Sequence, residues 1–252
     1  GGAHKALLMY RVPLLVNYTH EKSKGRPTPK ASRSFGPGGL AHTGPVLCVV
    51  AERDVVISGG VDGLVKMWKV ESSNESPAHK VFEKHQGPVW AVAMQPEQRL
   101  CCSGGADKCI YLWDMDGPKG TTPLQTMRGH AAGVTALCFA EHSEQVISAS
   151  EDRTIRVWDQ QLGICYSVLE GHQAIVFCLQ VWQGSRDGQQ YEVIFSGDGN
   201  GCLRVWDRTT GQTMHLLDEA HEDAVKSLSM SLSPEYSLIS TSMDGTLKLW
   251  RP

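Results

Sequence analysis

The chain has 252 residues, of which 41% are apolar and 20% charged, enough for one sizeable core in a single main domain. Its formal net charge of -3 and pI near 6.4 supply no overall attraction to nucleic acid or to an anionic membrane surface. The eight cysteines include no CxxC pair and no dense disulfide framework, so they read as free, buried thiols of a cytoplasmic protein.

In chain order, residues 5–16 form the first strand-like run, Lys-Ala-Leu-Leu-Met-Tyr-Arg-Val-Pro-Leu-Leu-Val. Its apolar part, 7–16, is too short to cross a bilayer and contains Arg11 and Pro13, so a soluble chain without membrane insertion is expected. No signal peptide precedes the sequons at Asn17 and Asn74, which read as chance matches. Residues 19–41 carry Lys22, Lys24, Arg26, Lys30 and Arg33 among Gly, Pro and Ser, the composition of a basic flexible linker. From residue 42 the apolar spacing is that of strands: Val46-Leu47-Cys48-Val49-Val50, then Val55-Val56-Ile57-Ser58, then Leu64-Val65-Lys66-Met67-Trp68, with Gly and Asp turns between. No stretch has helical periodicity.

This unit occurs five times. The endings are Leu-Val-Lys-Met-Trp68, Cys-Ile-Tyr-Leu-Trp113, Thr-Ile-Arg-Val-Trp158, Cys-Leu-Arg-Val-Trp206 and Thr-Leu-Lys-Leu-Trp250, spaced by 44 to 48 residues. Ten residues before each tryptophan stands a serine, and a histidine opens each unit. The period is about one propeller blade. Gly129-His130 through Trp158-Asp159, and Gly171-His172 through Trp206-Asp207, resemble WD repeats. On these motifs residues 42–252 resemble the WD-repeat β-propeller family, with repeats at about 42–70, 85–115, 130–160, 172–208 and 221–252.

The resemblance implies an all-β propeller of four-stranded antiparallel blades. The last unit stops two residues after its tryptophan, so residues 1–18, the only spare strand-like segment, are expected to supply the missing outer strand and close the ring. Pro13 is acceptable there because an edge strand tolerates a missing donor. Two arrangements stay open: a small closed ring, or a ring completed by further sequence or another chain.

The resemblance also assigns a structural hydrogen-bond chain to each blade: His42, Ser58, Asp62 and Trp68; His85, Ser103, Asp107 and Trp113; His130, Ser148, Asp152 and Trp158; His172, Ser196, Asn200 and Trp206; His221, Ser240, Asp244 and Trp250. A catalytic triad needs one unique exposed nucleophile, whereas this set recurs in every unit, so no catalytic residue is assigned. Counting back from Trp206 puts Asn200, not Asp198, at the fourth turn, which predicts a weaker chain there. The same unit carries a polar insert, 183–190, expected to project from its first hairpin. The run Gly197-Asp198-Gly199-Asn200-Gly201 opens no helix and lacks the closing glutamate of a calcium loop, and no Cys or His pair has zinc spacing, so neither metal nor cofactor is expected.

In the resembled family partners dock on the face around the central channel, to which three positions per blade contribute. These are Pro45, Leu47 and Val61; Pro88, Trp90 and Ala106; Gly133, Thr135 and Glu151; Ile175, Phe177 and Gly199; Ala224, Lys226 and Met243. Leu47, Val61, Trp90, Ile175, Phe177 and Met243 make this set apolar, the mark of a protein-binding patch, with Glu151 and Lys226 setting orientation. The expected function is a non-catalytic scaffold for peptide segments or domains of other proteins. The alternative is a substrate-recruiting or targeting domain of a larger enzyme assembly such as a ubiquitin ligase. No Trp-Asp pair here is followed by the x-Arg that often marks such receptors.

Overall fold

The structure is a computed structural model that describes residues 7–10, 31–35, 41–70, 79–117, 122–140, 143–186, 189–231 and 237–251. Two short strands, β1 (Leu7–Tyr10) and β2 (Ala31–Phe35), pair antiparallel with each other. The remaining strands form five consecutive antiparallel sheets. Blade one holds β3 (Val46–Glu52), β4 (Val55–Gly60), β5 (Leu64–Lys69) and β6 (Lys80–Glu83). Blade two holds β7 (Val89–Gln95), β8 (Leu100–Gly105), β9 (Cys109–Asp114) and β10 (Gln125–Arg128), and blade three β11 (Val134–Phe139), β12 (Gln145–Ser150), β13 (Ile155–Asp159) and β14 (Cys165–Leu169). Blade four holds β15 (Val176–Arg186), β16 (Gln189–Asp198), β17 (Leu203–Asp207) and β18 (Thr213–Leu217), and blade five β19 (Val225–Ser231), β20 (Ser237–Ser242) and β21 (Leu247–Trp250).

The second strand of the first three blades is almost wholly buried, because sheets cover both of its faces. That explains its continuous run of apolar and small residues, such as Val-Val-Ile-Ser-Gly-Gly in β4. The glycines let the next blade approach: a Cβ on Gly59 would stand 2.6 Å from Val89, one on Gly104 2.7 Å from Val134, and one on Gly197 2.6 Å from Val225.

Each junction between consecutive blades has one composition. Ile57, Val65 and Met67 of blade one pack with Val89, Val92 and Met94 of blade two. Ile110 and Leu112 pack with Val134, Leu137 and Phe139. Ile155 and Val157 pack with Val176, Leu179 and Val181. Leu203 packs with Val225, Leu228 and Met230. Each fully buried side chain of this kind contributes about 1.5–3 kcal/mol over an exposed one, so the junctions are the core of the protein.

The described residues bear on two expectations about the N-terminus. The part of residues 1–18 that is described, Leu7–Tyr10, pairs with Ala31–Phe35 and not with β21, and blade five has three strands among the described residues. Segment 19–41, expected as a flexible linker, contains the strand β2. Chain entropy favours the local partner: closing a loop of some 20 residues costs roughly 2 kcal/mol less than joining the two ends of the chain. The insert in blade four lengthens the β15–β16 hairpin, which stays in register to Arg186 and Gln189. Sequons Asn17 and Asn74 lie outside the described residues. No helix among the described residues is long and apolar enough to cross a membrane.

Candidate functional site

One irregularity recurs in all five innermost strands. The register shifts between Val46 and Cys48, Val89 and Ala91, Val134 and Ala136, Val176 and Cys178, and Val225 and Ser227. A β-bulge leaves one residue unpaired and re-aims its side chain. The five bulge residues are Leu47, Trp90, Thr135, Phe177 and Lys226.

A second device places the other two positions of each triplet. The N–H of Val61 donates to the carbonyl of Pro45 at 3.0 Å, Ala106 to Pro88 at 3.0 Å, Glu151 to Gly133 at 2.9 Å, Gly199 to Ile175 at 2.9 Å and Met243 to Ala224 at 2.9 Å. One bond and one bulge per blade thus bring the three positions together five times, at the end where the second strand turns into the third.

Leu47, Val61, Lys226 and Met243 are exposed, Met243 to 64%. Pro45, Pro88, Trp90, Glu151, Ile175 and Phe177 are half-buried, and Ala224 is buried. Trp90 lies against Gly133: a Cβ there would stand 2.2 Å from its ring and 3.1 Å from the Glu151 carboxylate. The Lys226 ammonium sits 3.5 Å from the centre of the Phe177 ring, a cation–π contact joining blades four and five. Lys226, expected to set orientation, thus caps an aromatic face.

Beneath this face runs a hydrogen-bond chain in every blade. Tryptophan Nε1–H donates to serine Oγ at 2.8–2.9 Å. The serine hydroxyl meets histidine Nε2 at 2.7–2.9 Å. Histidine Nδ1 meets an aspartate at 2.7–3.0 Å: Asp62, Asp107, Asp152, Asp198 and Asp244 in turn. With Nδ1 bonded to the carboxylate, the neutral ring carries its proton there and leaves Nε2 to accept from serine. Ser58, Ser103, Ser148, Ser196 and Ser240 are fully buried and spent in these bonds, unlike a nucleophile awaiting substrate.

Electrostatics follow from the same bonds. Burial alone raises the Asp152 pKa, but hydrogen bonds from Thr154, His130 and the backbone of Ala131 outweigh it and hold the carboxyl at about 2. Asp62, Asp107, Asp198 and Asp244 are lowered by the same opposition. Burial lowers the His130 pKa despite Asp152 beside it.

Blade four corrects the expectation for Asn200. Asn200 is exposed at the turn, as the count from Trp206 requires, yet the His172 partner is Asp198, two residues upstream at the end of β16. Alternate residues of a hairpin share a face, so a carboxylate at 198 reaches the ring that others reach from the turn. In blade one this position is Gly60, and a Cβ there would stand 2.5 Å from His42 Nδ1. Asp198 Oδ1 also accepts the backbone N–H of Asn200 and of Cys202, so this chain is complete. An aspartate two residues before the turn was the signal that counting from tryptophan passed over.

His172, Asp198 and Cys202 lie within 4.8 Å of one another and are the metal-type donor group among the described residues. Both His172 nitrogens are already bonded, to Asp198 and Ser196, and burial pushes the Cys202 thiol up to about 12. His172 and Asp198 thus serve the hydrogen-bond chain, and the Cys202 thiol donates to the Leu203 carbonyl and to Asp218. Burial likewise pushes Cys48, Cys138 and Cys178 up to about 12, leaving them as thiols of low reactivity.

Repeated antiparallel blades with a His–Ser–Trp chain in each define a β-propeller of WD repeats. The family "WD domain, G-beta repeat" matches residues 37–69, 77–114, 121–159, 163–207 and 211–251, and the chain belongs to it. The fold is similar to the computationally designed Ika8 protein, with TM-score 0.68 and 30% identity over 84% of this chain and 60% of that one. It is similar also to the WD40 β-propeller domain of Doa1, with TM-score 0.67 and 22% identity over 83% of this chain and 66% of that one. WD repeat and SOCS box-containing protein 1 of Danio rerio and of Homo sapiens are each 32% identical over 75 residues. That stretch is 29% of this chain and 17% of either relative. Propellers of this family are generally interaction scaffolds.

Proposed function

We propose that this chain is a non-catalytic scaffold that binds a peptide segment or domain of a partner protein on the face built by the bulges. The observation that carries the reading is that Leu47, Trp90 and Phe177 occupy the equivalent, re-aimed bulge position of their blades, while Val61 and Met243 are exposed. Open apolar groups with an aromatic anchor are where association gains most from excluding water. Trp90, resting on Gly133, is held in place before any partner arrives, which lowers the entropy cost of binding. Glu151 beside it supplies orientation. A pull-down from cell extract with wild type and a Trp90→Ala/Phe177→Ala variant tests this: specific partners are expected to be lost while the fold is retained.

A second reading has one observation in its favour. The curated relatives carry, by name, a SOCS box beside their WD repeats, so this propeller would serve as the targeting domain of a larger assembly. The absence of Trp-Asp-x-Arg weighs against a ubiquitin-ligase receptor in particular. Partners that include ligase subunits in the same pull-down would favour it.

A further inference from the structure

We infer that the docking face takes an arginine side chain of its partner, the guanidinium stacking on the Trp90 indole and pairing with the Glu151 carboxylate. This rests on the reading of that face as the docking site and names the chemistry it recognises. Indole and carboxylate come from different blades and meet over Gly133. A Cβ there would stand 2.2 Å from Cζ3 of the indole and 3.1 Å from Glu151 Oε2. Both distances start from one point, so the two groups lie within reach of one guanidinium. Backbone devices position them both: the bulge between Val89 and Ala91 aims Trp90, and the N–H of Glu151 donates to the Gly133 carbonyl at 2.9 Å.

The junction of blades four and five shows how this face treats an aromatic ring. Phe177 and Lys226 are successive bulge residues, and the Lys226 ammonium lies 3.5 Å from the centre of the Phe177 ring. The corresponding pair in blades two and three is Trp90 and Thr135. Thr135 carries no charge, and its hydroxyl donates to the Val176 carbonyl. Where blade five has Lys226 and Met243, blade three thus has Thr135 and Glu151: the acid accompanies the ring that receives no cation. Among the described residues the cation–π contacts fall on Trp158, Trp206 and Phe177, not on Trp90. Among the same residues Glu151 has no ion pair and no side-chain hydrogen bond. Tryptophan is the ring that holds a cation best, and the carboxylate beside it adds the complementary charge, so the cation comes from the partner. A guanidinium serves both groups, because its plane stacks on the indole while its N–H fork reaches the carboxylate. A lysine ammonium concentrates its charge at one point and lacks that geometry.

The probes are the capped tripeptide Ala-Arg-Ala and its citrulline counterpart, which keeps the planar shape and loses the charge. Each is titrated into the full chain and followed by NMR at the Trp90 indole N–H, a signal identified by its loss in Trp90→Ala. The arginine peptide is expected to shift this signal saturably at about millimolar concentration. Replacing arginine by citrulline, or Glu151 by Gln, is expected to weaken binding at least about tenfold. Glu151→Gln keeps the side-chain shape, and unmoved indole signals from the other tryptophans confirm its fold. The absence of a saturable shift overturns the inference, and so does equal binding of the citrulline peptide or equal binding by Glu151→Gln. Partner recovery from cell extract separates this inference from the reading beneath it. Partners lost by Trp90→Ala/Phe177→Ala but kept by Glu151→Gln leave the docking face standing and overturn its recognition of arginine.

Discussion

His172 Nδ1 lies 2.7 Å from Asp198 Oδ2, with the aspartate side chain only 2% exposed. The acid of blade four therefore sits deeper than its four counterparts, at the end of a strand and not at the tip of a turn. Asp198→Ala should leave a buried imidazole N–H without an acceptor and destabilise by about 1–3 kcal/mol. Asn200→Ala, at an exposed position, should cost under about 0.5 kcal/mol. Urea denaturation of both variants checks this, and equal shifts in the midpoint would refute the assignment.

The same geometry permits a transplant. Ser150 of blade three holds the place of Asp198, and Asp152 that of Asn200. Asp152→Asn should lower the melting temperature, and adding Ser150→Asp should recover part of the loss by offering His130 a carboxylate from the strand. No recovery in the double variant would mean that the two positions are not interchangeable.

Acid should unfold the protein in two stages. The His130 pKa lies below its ordinary 6.5 in the folded state, so the unfolded chain takes up that proton first and stability falls as pH drops below 6.5. Asp152, at about 2 against 3.8, adds stability that is complete above pH 3.8 and is lost as pH falls toward 2. Melting temperatures measured from pH 8 to pH 2 should hold down to about pH 6.5 and fall below it. The gap between wild type and Asp152→Asn should narrow below pH 3.8, and a gap that widens would contradict the assignment.

Arg153 follows the blade-three turn with φ of 70°, where blade one has Gly63 at 75°. A side chain in the left-handed region is strained, so Arg153→Gly should stabilise by up to about 1 kcal/mol, read as a raised urea midpoint. Arg153 is exposed, so little packing is lost.

Gly133→Ala should drive a methyl group into Trp90. The indole must swing away from its seat, which a shift in tryptophan emission and weaker partner recovery would report together. Unchanged emission would show that the ring is not held by this contact.

The blades were legible because the third strand of each carries the same tryptophan, and the junction residues alternate as strands require. The triplets around the bulges were legible only by resemblance, since a bulge is a relation between two strands and neither shows it alone. Asp198 was missed because counting fixes backbone position, whereas two side chains on one hairpin face compete for the same histidine. The pairing of β1 with β2 was not legible either: an apolar run such as 7–10 fits any free edge, and chain entropy chooses the nearer one.

The docking face is tested most directly by the pull-down with Trp90→Ala/Phe177→Ala, once both proteins are shown to melt cooperatively. Specific loss of the partners that wild type recovers is the predicted result. Recovery of the same partners in the same amounts would contradict it and move the binding surface elsewhere on the propeller.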